Sequence, residues 1–192
     1  VDPALTTVMA AAVPANNVAA NYLLGDIYRN TTAGALTVSY RVVPIGSVNS
    51  CVGDFRDIVV TIDPEPVMTT GLDANTCSDE PTGLALNTNG VSVGAASYNI
   101  VSRLVAPGLV DVGSAAVPQN AVADNYLAGD VFRNTGALPL TVVYRVIPVG
   151  AINGCLGDFI DITTTVDPEP VVSATLDKDV SSDGAIGLGM MS

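Results

Sequence analysis

Histidine and tryptophan are absent from the 192-residue chain, and lysine occurs once, at Lys178. Without His, the commonest general base and metal ligand is gone. Neither a Ser–His–Asp nor a Cys–His set can be assembled, and there is no CxxC, no phosphate-binding loop and no GxGxxG opening a helix. One Lys and six scattered Arg stand against 19 acidic side chains, for a net charge of −12. That balance excludes the cationic surface that holds a nucleic-acid backbone or an anionic membrane. No apolar run approaches the ~20 residues that span a bilayer, so membrane insertion is not expected. Aromatics make up only 5% of the residues.

What is present points to a folded β protein. The 48% hydrophobic content excludes a disordered acidic tail. Small β-branched residues with 18 Gly and 12 Pro imply many short strands joined by turns. The length fits one large domain or two small ones. The chain starts at Val1 with neither Met nor a signal peptide, as a mature product or a window of a longer chain would. An acidic exterior poor in Lys suits an exposed, soluble surface.

Sliding the sequence against itself gives one clear offset, 104 residues, at which 47 of the 88 aligned positions from Val1 to Thr88 are identical without a gap. Gly25–Asn30 (GDIYRN) returns as Gly129–Asn134 (GDVFRN), and Tyr40–Phe55 returns as Tyr144–Phe159. Such self-similarity marks one structural unit used more than once. The DPEP segments, Asp63, Pro64, Glu65 and Pro66, then Asp167, Pro168, Glu169 and Pro170, read as linkers. Their prolines remove ladder donors, so a sheet is expected to end there. On that division residues 67–170 form a complete β-sandwich unit, residues 1–66 the later part of one, and residues 171–192 the first strands of one. Either the chain is a window on a longer tandem array, or the incomplete ends meet. In the second case head strands of one subunit complete the tail unit of the next by β-augmentation, a heterologous contact that builds filaments.

Leu36, Val38, Tyr40 and Val42 alternate with polar residues, as do Ile58, Val60 and Ile62 in part. This is the period of half-buried strands. Further strands are expected at 67–72, 82–87, 91–102 and 109–113. A short helix or packed loop is expected over Val117–Asp130 and over its copy from Val13. About seven strands per unit is the size of an immunoglobulin-like sandwich without the buried Trp of antibody domains.

Of the three cysteines, Cys51 and Cys155 are repeat equivalents, and Ser181 stands at the equivalent of Cys77. The pair expected within the complete unit is Cys77–Cys155, worth up to ~4 kcal/mol in the chain-entropy model. It would suit an oxidising exterior, and the alternative is unpaired buried thiols. Cys51 has no obvious partner inside the chain and in a longer array looks to a preceding unit. Asp63, Glu65, Asp73 and Asp79, with Glu80 nearby, could gather oxygens for an interdomain calcium ion. The competing reading is solvated acids that cap turns. No other cofactor is implied. A carboxylate pair for glycoside hydrolysis is disfavoured because the acids sit in repeated linkers and turns. No catalytic residue can be named, and an enzyme is not expected. Asn30-Thr31-Thr32 is a formal glycosylation acceptor, but its copy lacks the Thr, which makes it incidental.

The proline-rich start DPEPV, Cys77-Ser78-Asp79, and the run Arg133–Asp158 with Tyr144, Val146, Pro148 and the turn Gly154-Cys155-Leu156-Gly157 resemble PKD-like repeat domains. These belong to very large secreted surface proteins of Bacteroidota. The resemblance implies a β-sandwich, a place at the cell surface, tandem arrays, and adhesion or surface fibres. The leading expectation is therefore a structural or adhesive repeat that self-associates or stacks head to tail, its glycan or protein target unnamed. The alternative is a carbohydrate-binding accessory module. Against that, Tyr22, Tyr40 and Phe55 recur in place, which fits a core role.

Overall fold

The computed structural model describes residues 1–170 and 182–184. The expected partial unit at 171–192 therefore lies almost wholly outside the described residues. Among the described residues eleven strands form and no helix is found. In chain order they are β1 (Thr6–Met9), β2 (Ile27–Arg29), β3 (Leu36–Val42), β4 (Arg56–Ile62), β5 (Ala74–Cys77), β6 (Ala95–Val105), β7 (Leu109–Gly113), β8 (Gln119–Val122), β9 (Val131–Asn134), β10 (Leu140–Gly150) and β11 (Ile160–Asp167).

Residues 67–170 carry seven of these strands in two layers, an immunoglobulin-like sandwich. One layer is a five-stranded sheet in the order β5-β11-β10-β6-β8, the other the pair β7–β9. The alternation read from sequence sets the register. Tyr144 and Val146 on β10, Ile162 and Val166 on β11 and Ile100 on β6 all point inward. Phe132 of β9, with Leu84, Leu86 and Leu127 from loops, closes the core against them. Burial of each such side chain stabilises the fold by about 1.5–3 kcal/mol.

Residues 1–66 form the counterparts of four of these strands. The hairpin β3–β4 pairs Leu36 with Ile62 through Val42 with Arg56, and β10–β11 pairs Leu140 with Val166 through Val146 with Ile160. The registers agree at an offset of 104. Their surroundings differ. Counterparts of β5 and β6 are missing beside β3–β4 among the described residues. Val146 is 0% exposed but Val42 is 38%, and Ile162 is 1% exposed but Ile58 is 45%.

The repeated GD..RN motif is structural. The Asp130 carboxylate, buried, accepts from Tyr144 Oη at 2.7 Å and from the Ala115 amide at 2.7 Å. Asp26 accepts from Tyr40 Oη and the Ala11 amide in the same way. Burial, then the Asp130 hydrogen bond, pushes the Tyr144 hydroxyl far above its usual titration range. Asn134 Nδ2 donates to the carbonyls of Leu138 and Val166, and Asn30 Nδ2 to those of Gly34 and Ile62. Asn30 is 2% exposed with both amide hydrogens committed, so a glycan has no place there.

Several sequence expectations need correction. Residues 67–72 contribute one isolated bridge, Met68 to Thr88, and 82–87 form no strand. Leu84 and Leu86 are buried from a loop, with the Leu86 amide donating to the Asp124 carbonyl. Met68, Leu84 and Leu86 fill the core without a ladder. The stretch Val117–Asp130 is a packed loop with a short strand, β8, followed by turns in which Tyr126, Ala128 and Asp130 each bond three residues back.

Candidate functional site at the first linker

The linker Asp63–Pro66 leaves β4 and runs directly into residues 67–170. It is held from both sides. On the near side the Glu65 amide donates to the Asn30 carbonyl at 2.9 Å, and Arg29 Nε lies 3.1 Å from the Glu65 carboxylate. On the far side stands the loop between β10 and β11. Asn153 Nδ2 at its tip donates to Asp63 Oδ2, and Arg29 reaches across to Asp158 at 3.0 Å. Further round, the Val93 amide donates to the Thr32 carbonyl at 3.1 Å. Burial raises the Glu65 carboxyl above its usual range despite Arg29, and Asp158 adds to the rise.

Glycine makes the contact possible. A Cβ on Gly157 would lie 1.9 Å from the Pro66 carbonyl oxygen, and one on Gly150 3.2 Å from Pro66 Cδ. The loop is fixed by Gly150 N–H to Cys155 O at 2.7 Å and Gly157 N–H to Pro148 O at 3.0 Å, with Asn153 and Gly154 left-handed at its tip.

The same loop recurs between β3 and β4. Gly46 N–H bonds Cys51 O at 2.8 Å, Gly53 N–H bonds Pro44 O at 2.9 Å, and Asn49 and Ser50 are left-handed. Here no described residue from another element packs on it, and residues 44–56 are all exposed. The linkers differ in the complementary way. Pro64 and Pro66 are buried, whereas Pro168 is half-buried and Pro170 exposed. Among the described residues one loop thus has nothing packed on it and the second linker is less covered than the first, the two halves of the contact seen at Asp63–Pro66.

The structure does not gather the four carboxylates expected for calcium. Asp63 engages Asn153, and Glu65 engages Arg29. Asp73 accepts from the Thr163 amide at 2.7 Å, and Asp79 pairs with Arg133 at 2.9 Å. The hydrogen bond from Arg133 holds the Asp79 carboxyl below its usual range. No group of three or more acids, Cys or His able to hold a metal occurs among the described residues. Each acid satisfies a specific donor instead.

The expected Cys77–Cys155 bridge is not formed, and Cys51, Cys77 and Cys155 are free thiols. Cys77 pairs with Asp167 at the last residue of β11, whereas Cys155 lies in the loop before that strand begins. Seven steps along a strand at about 3.3 Å each separate the ends, far beyond the roughly 7 Å limit for a bridge. Nor are they buried thiols, since Cys51 and Cys77 are exposed and Cys155 half-buried.

The aromatics expected in the core are not buried: Tyr22 and Tyr40 are half-buried and Phe55 is exposed, although Tyr144, the counterpart of Tyr40, is core. Phe55 and Phe159 are exposed, each with an Arg guanidinium, Arg41 or Arg145, 4.3 Å from its ring centroid. One face of each ring is thereby taken.

Missed from sequence were Arg29 as the bridge, Asn153 as the clasp, and Gly150 and Gly157 as the surface that receives the linker. The signal lay in the exact return of Gly, Asn and Gly at 46, 49 and 53, which marks a loop shaped for a close backbone approach.

Residues 116–170 match the PKD-like domain family. No curated protein and no solved structure matches the chain. PKD-like domains are typically extracellular structural or adhesive modules. Among the described residues no helix is long and apolar enough to cross a membrane.

Proposed function

We propose that this chain is a non-catalytic structural or adhesive segment of an extracellular surface assembly. Its 104-residue units stack end to end, each receiving the preceding linker on the loop between its last two strands. A single contrast carries this reading. The DPEP prolines are buried where a Gly-x-x-Asn loop meets them and more exposed where, among the described residues, none does, while the first such loop has no described residue packed on it. The PKD-like match over 116–170 supports the extracellular setting. Carbohydrate binding is the weaker alternative, because the exposed Phe55 and Phe159 rings already stack with Arg41 and Arg145.

Sedimentation of the full chain over a wide concentration range in reducing buffer tests the stacking. Reversible association is expected, with elongated particles by electron microscopy. Substituting Asn49→Ala together with Gly53→Val in the vacant loop should abolish it. A chain that stays monomeric at every concentration, or compact closed dimers, would refute end-to-end stacking.

A further inference from the structure

We infer that a disulfide between Cys77 of one copy and Cys51 of a second copy locks the stacked joint. The inference rests on the stacking proposed above and adds the covalent partner. Three observations lead to it. First, the observed joint puts the Asp63 carboxylate against Asn153, two residues from Cys155 on the same loop. Second, Asp167 is the counterpart of Asp63 and stands directly opposite Cys77 across the parallel pair β11–β5. Side chains directly opposite on neighbouring strands project from the same face. The exposed Cys77 thiol therefore lies beside the Asp167 carboxylate, on the side where the next loop would sit. Third, Asn49 and Cys51 are the counterparts of Asn153 and Cys155, on a loop with the same internal hydrogen bonds, and Cys51 is exposed.

Setting the loop of a second copy on Asp167–Pro170, as the loop of β10–β11 sits on Asp63–Pro66, brings Asn49 to Asp167. Cys51, two residues beyond Asn49, then comes to the side of Asp167 on which Cys77 lies, one strand spacing away from that carboxylate.

The chemistry is ordinary thiol–disulfide exchange with a low-molecular-weight disulfide such as oxidised glutathione. The Cys51 thiolate attacks one glutathione sulfur, forming a mixed disulfide and releasing one glutathione thiolate. The Cys77 thiolate then attacks the Cys51 sulfur and releases the second. Two protein thiols lose two protons and two electrons, and one glutathione disulfide becomes two thiols. Each copy offers one Cys77 at its trailing end and one Cys51 at its leading end, so the product is a linear covalent chain.

The full chain is incubated with oxidised and reduced glutathione, separated on a non-reducing gel and mapped by mass spectrometry. A ladder in steps of 19.5 kDa is expected, with Cys51–Cys77 as its linked peptide. Cys51→Ser or Cys77→Ser alone should abolish the ladder, a mixture of the two variants should stop at dimers, and Cys155→Ser should leave it intact. Both cysteines are exposed, so these changes leave the fold undisturbed. Linkage through Cys155, or a ladder that survives Cys77→Ser, overturns the inference. So does reversible association in reducing buffer that yields no Cys51–Cys77 link under oxidation, an outcome that leaves the stacking standing. Absence of both association and link removes the stacking and the disulfide together.

Discussion

Substituting Gly157→Ala should open the joint at Pro66 while leaving the sandwich core folded. Gly157 has no left-handed backbone requirement, so Ala brings no conformational strain of its own. The added methyl would lie 1.9 Å from the Pro66 carbonyl oxygen and 2.9 Å from Pro148 Cγ. Proline can pucker away, but the carbonyl belongs to a linker pinned by the Glu65 amide to Asn30. The gap must widen to at least 3.0 Å, which pulls Asn153 off Asp63 and Asp158 off Arg29. Forcing extra volume into a packed contact costs about 1–3 kcal/mol, or roughly a 5- to 150-fold shift from closed to open. Amide hydrogen exchange at Val93, whose N–H donates across the joint to Thr32, reports that opening directly. Val93 should lose protection by that factor, while the amides of Val146 and Ile162 in the core keep theirs. Gly53→Ala is the matched control, because its added methyl meets only Pro44, at 3.0 Å, and no linker. Unchanged protection at Val93, or equal loss at Val93 and Ile162, would refute the assignment of Gly157 to the joint.

Two further predictions concern the units themselves. Thr164 Oγ1 is buried without a hydrogen-bond partner, and its counterpart 104 residues earlier is Val60. Thr164→Val should therefore stabilise residues 67–170 by about 1 kcal/mol in denaturant unfolding, and a loss of stability would contradict the burial described. Asp57, Asp79 and Asp161 are held below the usual carboxylate range by hydrogen bonds from Arg41, Arg133 and Arg145. Their contribution is present at neutral pH and is lost as pH falls below about 4, through the lowered values. Glu65 acts in the opposite sense. Its raised value means that the closed joint gains as pH falls from that value toward about 4.3, the ordinary value for glutamate. Val93 protection should rise as pH falls toward about 4.3, and global melting should then drop below about pH 4, with the Asp terms weakened by salt.

How much of this was legible in the sequence depended on the physical signal each element carries. The alternation at Leu140–Val146 and at Ile58–Ile62 has the period of a strand, and β10 and β4 lie there. Leu84 and Leu86 alternate as well, yet they are drawn into the core by backbone bonds to Ala128 and Asp124 at either side, so no ladder forms. The four-residue β5 has no apolar alternation, because its neighbour β11 supplies the register. Cysteine pairing failed for a topological reason. Two thiols in one unit look like natural partners until a whole strand is seen to separate them. The acids at Asp63, Glu65, Asp73 and Asp79 cluster along the sequence but diverge in space, each toward its own donor.

The parallel pairing of β5 with β11 has a mechanical consequence. The first and last strands of residues 67–170 lie side by side and point the same way, from Ala74 beside Thr164 to Cys77 beside Asp167. A pull on the two ends of this unit drags the strands past each other lengthwise. Their hydrogen bonds then strain together, where a peeling geometry would break them one after another. Tension across residues 67–170 therefore meets shear at this pair.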